Sequence, residues 1–96
     1  MPPVKMKLIA SFCAHHIVQI QDSAYYVKGM TWTNSQGTTY DHVFTVWNHC
    51  DFARSGIAPG QEFMARIVGG ADNQNCATCL GFLETPPLGH NLQVER

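Results

Sequence analysis

The chain has 96 residues and a mass of 10.7 kDa, with 45% hydrophobic and 14% charged residues. That length predicts a single domain spanning 1–96, and the apolar content excludes disorder as the main state. Six Lys and Arg against seven Asp and Glu give a net charge of −1, which counts against a dedicated duplex-DNA binder; no apolar run is long enough for a membrane span.

Residues 4–20 alternate. Val4, Met6, Leu8, Ala10, Phe12 and Ala14 are apolar, and His16 interrupts the set before Val18 and Ile20. A period of two marks a strand with one buried face. Seventeen residues would span about 55 Å, too long for a small domain, so the strand is expected to bend, break or bulge near Cys13–His16. Asp22-Ser23 is a polar turn. Residues 24–33 are rich in aromatic and β-branched types and predict a second strand. Asn34-Ser35-Gln36-Gly37 is a turn cluster, followed by a third strand over Thr38–Asn48.

Asp51 is placed to cap one helical turn through Ser55, with Gly56 ending it. Pro59-Gly60 then turns into a fourth strand, Gln61–Gly69. A loop follows, and Cys76–Thr85 reads as a fifth strand with a bulge at Gly81. Pro86-Pro87 ends it, because proline cannot donate to a ladder. The core is thus expected over about 4–85. Residues 86–96 form a tail that is loose or adds an edge strand at Asn91–Val94. The predicted class is all-β: a small five-stranded Greek-key barrel, OB-like, with one short helical turn between strands 3 and 4.

The four cysteines are Cys13, Cys50, Cys76 and Cys79. The N-terminus has no apolar stretch of the signal-peptide kind, so thiols in a reducing cytoplasm are expected. Cys76-Ala77-Thr78-Cys79 has the spacing of a zinc half-site, but positions 76 and 79 of one strand face opposite sides and there is no second paired motif. No metal or cofactor is expected. His49-Cys50-Asp51 gathers the residue types of a nucleophilic triad, yet adjacent side chains diverge, and nothing resembles a phosphate-cradling loop. The chain is read as non-catalytic. His15-His16 is read as a polar bend.

Residues 39–70 resemble bacterial single-stranded DNA-binding proteins and the related primosome accessory protein. The residues behind the likeness are Tyr40-Asp41-His42-Val43-Phe44-Thr45-Val46-Trp47, Asp51-Phe52-Ala53-Arg54, and Pro59-Gly60-Gln61-Glu62-Phe63-Met64-Ala65-Arg66-Ile67-Val68-Gly69. The likeness covers about a third of the chain. Three departures stand beside it: Trp47 sits near a place where the family has a small residue, Lys and Arg are sparser, and an acidic partner-binding tail is absent. Filamentous-phage single-strand binders are a looser relation of the same kind. The resemblance implies a phage or bacterial protein.

On the second strand, Tyr26, Lys28, Met30 and Trp32 share one face by parity. Bases stack on flat rings while Lys neutralises phosphate. Tyr26, Trp32 and Tyr40 are therefore the expected stacking residues, and Lys28, Lys5, Lys7 and Arg54 the expected phosphate contacts. The opposing reading makes Trp32, Trp47 and Phe44 ordinary core. Single-stranded DNA or RNA is the expected partner. The rival is a protein-interaction module, an adaptor or inhibitor, which near-zero charge and eleven Asn and Gln also suit. A chain this short buries only roughly 60–65% of its surface, so a homo-oligomer, dimer or tetramer, is expected to cover its edges.

Overall fold

The computed structural model describes residues 2–69, 81 and 83–95. The alternating run at the start is two strands rather than one bent strand: β1, Val4–Phe12, and β2, His15–Ile20, pair antiparallel. A molecule of 34 × 33 × 23 Å has no room for the straight alternative. The reversal takes two residues, and Cys13 adopts φ +54° to make it; tight hairpin turns need such positive φ values to match the strand twist. The register runs Leu8↔Val18 and then Ala10↔Ile17, so Ile9 is an extra residue. That bulge resets the alternation. Val4, Met6 and Leu8 are fully buried, whereas Phe12 is 50% exposed.

The expected second strand is mostly something else. Ser23–Lys28 forms a 3-10 helix, and only β3, Met30–Thr33, is a strand. Asp22 is the cause: its carboxylate accepts from the Ala24 N–H at 3.0 Å and its carbonyl from the Tyr25 N–H at 3.0 Å. Such local bonds offer the backbone an alternative to a ladder. β4, Thr39–Val46, pairs with β3 and β2, and its strand ends where α1, His49–Arg54, begins. The helix takes Asn48 at its cap position, three residues before the expected Asp51, and Asp51 pairs with Arg54 at 3.2 Å instead. Gly56 follows at φ +73°. β5 is Glu62–Val68 and β6 is Gly89–Glu95.

The strands close as β1–β2–β4–β6–β5–β1, with β4 and β6 parallel and the other pairs antiparallel. This is a five-stranded OB-like barrel with a short helix between its third and fourth strands, and β3 is added outside it on β4. The closing strand is not Cys76–Thr85. Residues 76–80 and 82 lie outside the described residues, and Gly81 and 83–85 are not in a strand. The expected tail does the closing. Asn48 holds it: its amide donates to the Leu92 carbonyl at 2.6 Å and accepts from the Leu92 N–H at 2.8 Å, as a neighbouring strand would.

The core runs through Val4, Met6, Leu8, Val18, Ile20, Phe44, Val46, Ala65 and Leu92. Phe52 of α1 closes one end, meeting Phe63 edge-on at 5.6 Å. Each of the larger of these side chains stabilises the fold by about 1.5–3 kcal/mol through area alone. Cys13 and Cys50 are both disulfide-bonded, not free thiols; the sequence carries no signature that separates the two states when a secretory signal is not visible. No described helix is long and apolar enough to cross a membrane.

Candidate binding face

Two ring pairs stand on the side of the barrel that carries the β3–β4 hairpin. Trp32 and Tyr40 are direct cross-strand partners, with centroids 6.3 Å apart and planes within 19°. Directly opposed residues share a face of a sheet. Both rings are half-buried, so each keeps an accessible surface. Tyr26 belongs to the second pair: it lies flat on His42 at 3.6 Å, 5° from parallel. Because residues 23–28 are helical, Tyr26 and Lys28 do not continue the Trp32 row, and the single ladder expected from parity does not form.

His42 belongs to the second pair and marks the irregularity between the two. Between Met30↔Val43 and Trp32↔Tyr40 the register slips by one residue of β4, and His42 sits in the slip at φ +62°. Non-glycine residues occupy that region at a cost. Gly29 is what allows it: a Cβ there would lie 2.5 Å from the His42 carbonyl carbon. Asp41 is pinned on both sides, its carboxylate accepting from the Thr31 hydroxyl and its carbonyl from the Gln19 amide, each at 3.0 Å. His42 was not among the expected residues. A glycine inside an expected strand signals close backbone approach, and Gly29 was the clue.

The turn after β3 is self-built. The Asn34 side-chain oxygen accepts from the Gln36 and Thr38 N–H groups, each at 3.0 Å, and Gly37 takes φ +86°. Glu84, arriving from far along the chain, accepts from the Ser35 N–H at 3.0 Å. Between this turn and the β1–β2 hairpin lies a cavity of about 240 Å³, lined by apolar Ile9, Ile17 and Leu83, by Trp32 and Tyr40, and by Glu84. Glu84 is the one charged residue among the described residues that line it.

The expected cations are dispersed. Lys5 pairs with Glu62 at 3.4 Å and Arg54 with Asp51 at 3.2 Å, while Arg66 pairs with Glu95 at 2.8 Å. Lys7 is half-buried and Lys28 exposed, and neither has a carboxylate within ion-pair distance among the described residues. Of the opposing core reading, Phe44 is fully buried, but Trp47 is 60% exposed. Its indole lies over the α-carbon of Gly89, where a side chain would collide with it.

A second polar cluster lies at the α1 end. His16 is buried, its Nδ1 is 2.6 Å from the Ser11 hydroxyl, and its ring rests on Phe52 at 4.9 Å. Burial holds this imidazole below its ordinary range; the charges of His49 and His15 push the same way, and a backbone bond with His49 opposes them in part. His16 is thus a packed core residue rather than a bend. Among the described residues no three His, Cys, Asp or Glu side chains gather as a metal site would need, and Cys76 and Cys79 lie outside the described residues.

Fold and face together define a small OB-like barrel with an aromatic shelf on an appended hairpin. No family model, curated protein or solved structure matches the chain.

Proposed function

We propose that the protein is a non-catalytic binding module that holds single-stranded nucleic acid by stacking bases on Trp32 and Tyr40. The observation that carries this is the half-buried, nearly parallel Trp32–Tyr40 pair that lines the cavity. Base–aromatic stacking contributes about 1–3 kcal/mol per base. Lys28 and Lys7 supply the phosphate contacts; Lys5 and Arg54, already paired, add little, and Tyr26 acts by holding His42. Two cations imply a shallow salt dependence. A homodimer or tetramer would multiply them along one strand, and sedimentation at binding concentrations reads that state.

The test is fluorescence titration with single-stranded oligonucleotides. Micromolar binding that weakens at least tenfold in Trp32→Ala and stays unchanged in Trp47→Ala supports the reading. No binding at micromolar protein, or a loss confined to Trp47→Ala, overturns it.

One observation favours a second reading, a protein-interaction module. Trp47 is 60% exposed beside His90, and exposed Trp is a recurrent anchor of protein interfaces. Loss of a protein partner in Trp47→Ala but not in Trp32→Ala would select it. The disulfides at Cys13 and Cys50 also bear on the expected cytoplasmic setting: they support residence in an oxidising compartment instead.

A further inference from the structure

We infer that the cavity beside Trp32 selects bases carrying an exocyclic amino group, with Glu84 as the acceptor that reads them. The inference rests on the single-strand reading above. Its size admits one ring: about 240 Å³ is below the range of sites that enclose drug-sized ligands. Its charge then decides which part of a nucleotide enters. Glu84 is the one charged residue among its described lining, so a phosphate placed there meets a like charge with nothing to offset it. The backbone stays outside, and the base edge points inward.

Glu84 is held for the task by the fold. One carboxylate oxygen accepts from the Ser35 N–H at 3.0 Å, which fixes the group across 49 residues of chain and leaves the second oxygen as an acceptor with open lone pairs. An ionised carboxylate accepts and never donates. The amino groups of cytosine and adenine are donors and match it. Thymine and uracil present a carbonyl oxygen at the equivalent position, and their one edge donor, N3–H, lies between two carbonyl oxygens that repel a carboxylate, so they match it less well. Ring stacking on Trp32 and Tyr40 is indifferent to base identity. The preference is therefore assigned to Glu84, the one charged group in a described lining that also holds Asn34, Ser35 and Gln36.

Equilibrium titrations with oligo-dC, oligo-dA and oligo-dT of equal length, at one salt concentration, test this directly. The wild-type protein is expected to bind oligo-dC and oligo-dA about tenfold more tightly than oligo-dT. In Glu84→Gln the amide oxygen can still accept from Ser35, while its NH₂ offers a donor to the thymine carbonyl. The preference is then expected to fall to parity or reverse, with the melting temperature unchanged. Equal wild-type affinity for all three, or a preference that survives in Glu84→Gln, overturns the inference and leaves the single-strand reading standing. Failure of all three oligonucleotides to bind overturns both.

Discussion

The barrel wall and the β3–β4 hairpin outside it use similar residues and are held by different forces. In the wall, Val4, Met6, Leu8, Val18, Val43 and Phe44 are fully buried, and stability comes from apolar area. In β3, Thr31 and Thr33 are exposed and Met30 and Trp32 only half-buried. There the chain is held by particular contacts: Thr31 on Asp41, Thr33 on Thr39, Glu84 on Ser35, and the close approach of Gly29 to His42. Apart from the buried Asn48–Leu92 pair, the wall depends on its methylenes and the hairpin on its polar contacts. A ligand that meets Trp32 and Tyr40 therefore meets the part of the molecule with less buried apolar area, where local opening is expected to cost least.

Substitutions separate these two regimes, and the largest effect belongs to the wall. Phe44→Ala is expected to cost about 3–5 kcal/mol, a large share of the total stability of a domain this size, read by denaturant unfolding. A loss under 1 kcal/mol would mean the barrel is not held by area. Gly29→Ala comes next, at about 1–3 kcal/mol, because the new methyl meets backbone that cannot swing aside. Its signature is spatial: amide exchange at Thr31 and Thr33 should accelerate while β1 and β5 keep their protection. Uniform acceleration would show that the hairpin and the wall are one cooperative unit.

Acidification probes the end of the barrel that α1 closes. The folded-state pKa of His16 lies below its unfolded value of about 6.5, so the unfolded chain takes up the proton first. The stability that His16 contributes is complete above that unfolded value and is lost as pH falls from it towards the lowered folded value. The melting temperature is expected to drop between pH 7.5 and pH 5, and His16→Gln should flatten that drop. An unchanged slope in the variant would assign the acid sensitivity to other groups. The smallest effect is expected at Lys5→Ala. Its partner Glu62 is as exposed as it is, at side-chain exposures of 55% and 51%, and such pairs are worth about 0–1 kcal/mol. Thermal melts of Lys5→Ala and wild type should nearly coincide at physiological salt.

How much of this was legible beforehand depends on the distance over which each feature is encoded. The break near Cys13–His16, the strand through Val43 and Val46, the helical turn before Gly56 and the strand through Phe63 and Ala65 all follow from periodicity and turn residues within a few positions. Trp32 and Tyr40 were legible as candidates, each by its place on a strand. That they face each other was not, because the pairing depends on a register slip at His42. Tyr26 and Lys28 were misplaced because Asp22 captured the local backbone, a competition that strand propensity leaves out. Glu84 left no trace at all.

By itself, then, the sequence determined the barrel class and most of its wall, since alternation and turn chemistry are local and survive without neighbours. Tertiary structure alone decided that Gly89–Glu95 closes the barrel, that Cys13 and Cys50 are cystines, and that Glu84 reaches the Trp32 cavity. The physical reason is sequence separation. Asn48 meets Leu92 across 44 positions and Glu84 meets Ser35 across 49, and a contact at such range depends on how the sheet closes rather than on any spacing along the chain.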